Sequence, residues 1–396
     1  MRFYPTLLSL IPLFTASLDV LSCHSHKTCI VHPLRAYQND VPNILAAFEP
    51  ERLNPRVKDV TVDWKGTWLF SDNLTYWRAN SYPITFQNHA AGFVLSGSGI
   101  TTNGYGSGGI NGNGESCYVD EQGTTRPGRP MPFVLWNVSG VHVSNFAIDQ
   151  PQLWSINIMN GSNLHFENIM VTVDDSAAPS GKNWPQNTDG FDTMDITNLT
   201  MYNFTFTGGD DCIAIKPRSY NINISNVTCN GIAIGSLGQY LEDSSVENIT
   251  ISHAKVPSTR YGTYIKTWMG ELVPQPDSYE SDYKPRGGGW GVVRNIVLED
   301  IDVSGARRGV LVSEDNGAEN NSSAKGTSKM EISGVRFVDY SGTLSSSNRV
   351  TVDCSNVNPC FDISFEGWDV LTQDGDELTG RCKWMAKDGV TGLDGC

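Results

Sequence analysis

The hexapeptide VHVSNF at residues 141–146 is the first of a series of related segments. Each segment has two apolar residues alternating with polar ones, then Asn or Asp, then a further apolar residue. The series continues with LHFENI at 164–169, LTMYNF at 199–204, INISNV at 222–227, IVLEDI at 296–301 and VRFVDY at 335–340; a variant, ITISHA at 249–254, has His253 in the polar position. Several copies are 23 to 27 residues apart. Short alternating strands repeated at such a period predict a solenoid.

This repeat predicts an all-β fold, a right-handed parallel β-helix. Each coil of such a solenoid supplies short strands that stack on the preceding coil at a spacing of about 4.8 Å. Inward-facing apolar residues fill the bore, and an Asn at each turn can hydrogen-bond to the Asn one coil away. An antiparallel sandwich is the alternative, but hairpin turns are scarce and the repeated unit is longer than a hairpin. We expect a short helix over 40–48, with Asp40 at its start and Pro42 in its first turn, to cap the first coil.

The ends of the chain carry export and disulfide signals. Arg2, the apolar run 7–14 and the small residues before Cys23 are typical of a secretory signal peptide over residues 1–22. We expect one catalytic β-helix domain over 23–396, ending in a disulfide-stapled tail at 381–396. No later segment is apolar for long enough to span a membrane, so we expect a secreted, extracellular and monomeric protein.

Nine cysteines and ten glycosylation acceptor motifs fit an oxidising secretory route. The acceptor asparagines are Asn73, Asn137, Asn160, Asn198, Asn203, Asn223, Asn226, Asn248, Asn320 and Asn321. The nearest candidate disulfide pairs are Cys354 with Cys360 and Cys382 with Cys396, while Cys212 and Cys229 bracket one further segment; spacing alone leaves the connectivity open. No CxxC pair with matching partners occurs, so a zinc site is not expected. The formal net charge of −15 argues against nucleic acid as a partner.

Carboxylates are concentrated in two short segments, NTDGFDT at 187–193 and GGDDCIAIK at 208–216. Asp189 and Asp210 are close to one coil apart, so a solenoid would stack them, and Asp211 could join them in one cleft. Hydrolysis of an acetal needs one protonated carboxyl group and one carboxylate, which mutual repulsion and lost hydration can provide. Two other interpretations are open: single aspartates often stabilise turns, and clustered carboxylates can bind calcium.

The motifs NTDGFDT, GGDDCIAIKP, GIAIGSLGQY and YIKTW occur in the order and at the spacing of glycoside hydrolase family 28, the polygalacturonases and their relatives, which this chain resembles. The resemblance implies a right-handed parallel β-helix and inverting hydrolysis of α-linked galacturonic acid bonds, without a cofactor or metal. It implies Asp210 as general acid, and Asp189 with Asp211 as the pair that activates water. It also implies that Lys266 binds a sugar carboxylate. We expect further substrate contacts from Tyr264, Asn187, Gln239 and Lys216, although Lys216 could instead be a surface charge. We expect Asp192 to brace its turn.

The sequence departs from the polygalacturonase pattern at two positions. The Gly-His-Gly expected before GIAIGS is absent, with Asn230 in that region, and Tyr264 replaces the arginine of Arg-Ile-Lys. Loss of a guanidinium removes a bidentate partner for a uronate, whereas a tyrosine ring suits a less polar sugar such as rhamnose. Two stretches of the chain are also shorter than in the family pattern: the segment after 48–55 and the segment around Asn230.

The sequences of the motifs are most similar to those of fungal exo-acting galacturonidases. We therefore expect a secreted exo-glycosidase that removes terminal α-linked galacturonic acid from pectin, including rhamnogalacturonan. The alternatives are an endo-acting rhamnogalacturonan hydrolase, a calcium-dependent pectate lyase and a solenoid that binds the cell wall without catalysis.

Overall fold

The computed structural model describes residues 21–24, 28–34, 39–42, 44, 56–124, 126–179, 181–275, 284–318, 322–348, 350–387 and 389–396. The chain forms two compact units, residues 1–57 and residues 58–396. In the first unit, strands β1 (Leu21–His24) and β2 (Thr28–Val31) pair antiparallel. Most of the predicted signal peptide lies outside the described residues, so it stays a prediction, as does a domain start at residue 23.

The second unit is a right-handed parallel β-helix, which confirms the predicted fold class. Its strands are β3 (Arg56–Asp63), β4 (Thr67–Leu69), β5 (Tyr82–Ile84), β6 (His89–Ala91), β7 (Val94–Asn111), β8 (Pro130–Met131), β9 (Phe133–Asp149), β10 (Ile156–Thr172), β11 (Phe191–Thr207), β12 (Ile213–Ile215), β13 (Ser219–Thr228), β14 (Ile232–Leu237), β15 (Val246–Lys255), β16 (Thr263–Trp268), β17 (Trp290–Asp302), β18 (Val310–Asn316), β19 (Lys329–Thr343), β20 (Val350–Asp353), β21 (Phe361–Glu366), β22 (Asp369–Leu371), β23 (Gly380–Lys383) and β24 (Val390–Thr391). The helices are α1 (Leu74–Asn80) and α2 (Glu115–Glu121), with 3₁₀ turns at Phe86–Asn88 and Ser322–Ala324. No helix in the described part of the chain combines the length and apolarity needed to cross a bilayer.

Successive coils pair in parallel, and two columns of strands result. Strands β7, β9, β10 and β11 are long and bend across both columns. Beyond them, one column runs β12, β14, β16, β18, β20 and β23. The other runs β13, β15, β17, β19, β21 and β24. Alternate residues of each strand face the bore, where rings such as Phe166, Phe191 and Phe204 are fully buried and contact one another.

The predicted asparagine ladders are present at the bends. In one ladder the amide of Asn168 donates to Asn145 at 3.0 Å, Asn203 donates to Asn168 at 2.7 Å and Asn226 donates to Asn203 at 3.4 Å. These asparagines adopt positive φ, a region that Asn tolerates better than most residues. In the variant repeat, His253 bonds to Asp300 at 2.6 Å instead. The polar position of the repeat therefore sets each bend and bonds it to the next coil.

The predicted disulfides are confirmed, as three pairs: Cys212–Cys229, Cys354–Cys360 and Cys382–Cys396. The last pair staples the tail, as expected. Of the helix predicted over 40–48, Val41, Pro42 and Ile44 are helical, and the Ile44 N–H donates to the Asp40 carbonyl at 3.0 Å. Its other residues after Pro42 lie outside the described residues, and its capping role stays a prediction.

Replacing Asn203 by Ala should lower the free energy of unfolding by about 2 kcal/mol, because the ladder loses two amide contacts and Ala is strained at positive φ. Urea unfolding followed by tryptophan fluorescence measures the change. Asn203→Gly is the matched control: it keeps the backbone conformation and should recover part of the loss. Equal stability of wild type and Asn203→Ala would refute the role of the ladder.

Candidate active site

The cluster of aspartates is positioned by the register between β11 and β12. Phe191 pairs with Ile213 and Asp192 with Ala214. The Gly190 N–H donates to the Asp211 carbonyl at 2.9 Å, so this register brings the backbone of Asp211, and not that of Asp210, beside the turn at Asp189. The coil at this point is therefore one residue longer than the separation of Asp189 and Asp210 in the sequence. Asp210 precedes β12, and its side chain accepts a hydrogen bond from the backbone of Asn187.

Two glycines make the turn before Asp210 possible. Gly208 and Gly209 have φ of 79° and 69°, and a Cβ at Gly208 would lie 2.0 Å from the Val173 carbonyl oxygen. The turn presents Asp210 Oδ2 to the backbone N–H of Asn187, which donates to it at 2.8 Å. Asn187 thus contacts the cluster through its backbone. The disulfide Cys212–Cys229 then ties this segment to the next coil.

Asn230 supports the same turn where the polygalacturonase pattern has a histidine. Its side-chain amide donates to the carbonyls of Gly208 at 2.7 Å and Gly209 at 3.3 Å, and its own carbonyl accepts from the Thr259 hydroxyl. Asn230 therefore braces the backbone immediately before the two adjacent aspartates.

Lys216 is the buried counterion of the cluster. Its Nζ lies 3.0 Å from Asp192 Oδ1 and 3.7 Å from Asp189 Oδ2, and 4.3 Å from the centre of the Trp154 ring. Only 5% of Lys216 is exposed, which leaves little of it for a direct substrate contact. Burial disfavours its ammonium, but the Asp192 and Asp189 charges outweigh this and hold the pKa of Lys216 above its ordinary value.

Lys266 is the second lysine of the cluster and is partly exposed. Its Nζ donates to Asp211 Oδ2 at 2.6 Å and lies 5.3 Å from the centre of the Tyr264 ring. Burial disfavours the ammonium, yet the neighbouring Asp211 carboxylate keeps the pKa of Lys266 above its ordinary value. Lys266, Asp211 and Tyr264 thus form one continuous polar and aromatic surface.

The environment favours the protonated form of three carboxyl groups. Burial, then the charge of Asp192, raises the pKa of Asp189 well above its ordinary value. Burial raises the pKa of Asp192 to about 6, although Lys216 opposes the shift. Burial and the neighbouring Asp211 raise the pKa of Asp210, against the hydrogen bond from Asn187. Asp211, with its ammonium partner, is the member whose carboxylate form receives a charge-assisted hydrogen bond.

A wall formed by residues 82–91 lies beside this cluster, and no sequence motif predicted it. The wall consists of strands β5 and β6 and the turn at Phe86–Asn88. Its residues Ile84 and Phe86 belong to one hydrophobic cluster with Met159 of β10 and Met194 of β11. Within this wall the Phe86 ring lies 6.3 Å from Trp154, the ring over which Lys216 sits. The wall is therefore adjacent to the acidic cluster.

Gln239 belongs to the wall and is buried. Its side-chain oxygen accepts from Gln87 at 2.7 Å, and the next residue, Tyr240, contacts Phe86 at 5.6 Å between ring centres. The Gln239 side chain thus joins the wall to the loop after β14, and its substrate contact stays a prediction.

His89 and Arg129 are two further residues that sequence reasoning missed. His89 is buried edge-on against Trp154, and burial, with the charge of Lys216, lowers its pKa well below its ordinary value. Arg129 is buried and donates to the carbonyl of Gln186 at 2.6 Å, which fixes the chain just before Asn187.

A polar cavity of about 230 Å³ is lined by Tyr264, Ser313, Asp315, Asn316, Lys325 and Asp353. The register Lys266 with Ser313 and Ser313 with Asp353 makes it a continuation of the strand column that carries Lys266. The aspartates before β12, then Tyr264, then this cavity therefore follow one another along that column.

Comparison with known proteins gives concordant results. Residues 38–389 match the family model described as Glycosyl hydrolases family 28. The chain is 53% identical over 406 aligned positions, 94% of each chain, to an Aspergillus niger protein named "Putative galacturan 1,4-alpha-galacturonidase C". It is 31% identical to an Aspergillus niger protein named alpha-L-rhamnosidase rgxB, covering 90% of this chain and 87% of the relative.

A solved structure shows the same fold. The endo-xylogalacturonan hydrolase of Aspergillus tubingensis superposes with a TM-score of 0.70 at 22% identity, over 90% of this chain and 97% of that one. The alignment with the first relative is longer than this whole chain of 396 residues, so the relative contains stretches that are absent here. This agrees with the shortening that the sequence indicated.

Replacing Lys216 by Met should lower the free energy of unfolding at pH 7 by about 3 kcal/mol or more, because two buried carboxyl groups lose their counterion. The loss should be smaller near pH 4, where Asp192, with a pKa of about 6, is already mostly protonated in the folded state. Thermal unfolding at both pH values measures this, with the exposed Lys182→Met as control. A loss of equal size at the two pH values would contradict the proposed charge balance.

Proposed function

The chain belongs to glycosyl hydrolases family 28, and from this membership we propose that it is an exo-acting hydrolase that removes terminal α-linked galacturonic acid from pectin. The observation that carries the proposal is the acidic cluster beside the wall at 82–91, with Trp154 in contact with both Phe86 of the wall and Lys216 of the cluster. A wall in that position would stop a sugar chain on one side, so that the reacting groups receive a chain end.

Asp210 is the proposed general acid. It accepts a backbone hydrogen bond on one oxygen, and its raised pKa keeps a proton available for the departing glycosidic oxygen. Asp211 and Asp189 are the proposed pair that orients and deprotonates water. Lys266 donates directly to Asp211, whereas Asp189 shares the buried site with Asp192 and Lys216.

Lys266 and Tyr264 are the proposed substrate contacts. Lys266 is partly exposed beside Asp211, and a uronate carboxylate could accept a further hydrogen bond from its ammonium. Tyr264 presents an aromatic face on which a sugar ring can stack. Lys216 and Gln239 are better assigned to positioning, since one neutralises the buried aspartates and the other holds the wall.

The lyase alternative needs a bound calcium ion to polarise the uronate. Here the ammonium groups of Lys216 and Lys266 already neutralise part of the carboxylate cluster, which favours hydrolysis over a calcium site. We also propose that the protein is exported through the leader predicted over 1–22 and acts as a monomer.

A second candidate substrate is a pectin end that contains rhamnose. Tyr264 in place of an arginine weakens recognition of a second uronate, and one relative is named a rhamnosidase. The same groove and the same carboxyl groups would serve, with the Tyr264 ring against the less polar sugar.

The direct test incubates the purified protein with defined oligogalacturonides and with rhamnogalacturonan oligomers, followed by product chromatography. We expect single sugar residues to accumulate from the first time point, and Asp210→Asn to lower the rate by about 10²–10⁴-fold. Asp369→Asn, an exposed aspartate on a later coil, is the control and should keep full activity. Release of no reducing ends, fragments of random length, or an ultraviolet-absorbing product lost with chelator would each reject the proposal.

The rate should fall as pH rises, because the acid must enter the reaction protonated. The loss should track the raised pKa of Asp210 and give an acidic optimum. A pH profile of kcat/KM on a short oligogalacturonide measures this. An optimum above neutral pH would contradict the assignment of the acid.

A further inference from the structure

A second cluster of chemically active side chains lies away from the groove, on strands β9 and β10. His142 pairs in register with His165, and Ser144 pairs with Glu167. His142, His165 and Glu167 are each about half-buried, whereas the residues between them, Val143 and Phe166, are fully buried in the bore. Bends with positive φ at Asn160 and Asn163 separate this part of β10 from its first residues, which pair with the strand that carries Asp192.

The three side chains converge on a common point. Glu167 Oε1 lies 3.2 Å from His142 Nε2, and Glu167 Oε2 lies 3.9 Å from His165 Nε2. Candidate ligand atoms of all three lie within 4.8 Å of one another. A tetrahedral zinc ion with bonds of about 2.0–2.2 Å needs ligand atoms about 3.3 Å apart, so small side-chain rotations suffice.

The position of Thr200 favours the required form of one imidazole. His165 Nδ1 lies 2.7 Å from Thr200 Oγ1, on the neighbouring coil. If this nitrogen carries the proton and donates to the hydroxyl, the lone pair of Nε2 points toward Glu167. Metal-binding histidines are commonly oriented by such a bond from the other ring nitrogen.

We propose that His142, His165 and Glu167 form a binding site for a divalent transition-metal ion, with zinc as the metal. An ion pair with Glu167 needs only one imidazole, but two are directed at this carboxylate. The two ring centres are only 4.8 Å apart, so two imidazolium charges would repel each other. A divalent cation satisfies all three groups. A set of two nitrogens and one oxygen suits zinc and copper, and not calcium or magnesium, which prefer oxygen alone.

Such an ion would join neighbouring coils. His142 belongs to β9, whereas His165 and Glu167 belong to β10, so the metal would link the two strands from outside, as the asparagine ladder does at the bends. The site shares no residue with the acidic cluster. Its presence is therefore independent of the function proposed above.

The test is calorimetric titration of the chelator-treated protein with ZnCl₂ near pH 7, alongside its melting temperature with and without zinc. We expect the wild type to bind one more equivalent than His165→Ala or His142→Ala, and to show a rise in melting temperature that both variants lose. Glu167→Gln keeps both imidazoles and should weaken binding at least tenfold. Titration with CoCl₂ should give visible absorption bands only when both histidines are present.

The matched control is His253→Ala, which removes an exposed histidine that bonds to an aspartate on a neighbouring coil with no second imidazole. It should retain the full zinc stoichiometry and melting shift. A cooperative melting transition at the wild-type temperature in the absence of zinc shows that the variants are folded. Equal zinc binding by wild type and the His142 and His165 variants, no binding by the wild type, or an equal loss in His253→Ala would overturn the proposal.

Discussion

The in-register stacking of parallel coils is the constraint on which the rest of the molecule depends. The bends of the ladder adopt a positive φ that Asn tolerates, and the amides of Asn168, Asn203 and Asn226 each bond to the bend of a neighbouring coil, which opposes slippage between coils. A slip of one residue would turn the outward aspartates into the bore. The positions of the aspartates therefore depend on backbone pairing and on the turns that precede β11 and β12.

Charge balance is the second constraint, and it follows from the first. Stacking places four carboxyl groups around two lysines, Lys216 beneath the surface and Lys266 at its edge. The four carboxyl groups differ in burial and in their distance from the lysines, so ionisation costs more free energy for some of them than for others. Burial and the neighbouring Asp211 raise the pKa of Asp210, whereas Asp211 accepts a hydrogen bond from the Lys266 ammonium. Acid–base cleavage of an acetal requires two carboxyl groups in such unequal environments. Stability and the proposed chemistry thus depend on the same contacts.

Much of the fold was predictable because a repeated coil leaves a repeated signal. The hexapeptides marked the strands, their polar position marked the ladder, and the three candidate cysteine pairs are the disulfides that form. The site was less predictable in detail. Counting residues placed Asp210 over Asp189, but the actual offset between Phe191 and Ile213 brings Asp211 there. The wall at 82–91 belongs to no repeat, so nothing in its sequence indicated that it packs on Trp154. Lys216 and Gln239 were expected at the substrate, yet burial, which sequence does not reveal, gives them structural contacts.

The central claim is that the groove ends at the wall, with the acidic cluster at its closed end. A crystal structure of the inactive Asp210→Asn variant with a trigalacturonide tests it most directly. The account predicts a terminal sugar between the wall and Tyr264, with the glycosidic oxygen within hydrogen-bonding distance of residue 210 and the remaining sugars toward Asp353. A ligand that extends past the wall in both directions, or that binds on another face of the β-helix, would contradict it.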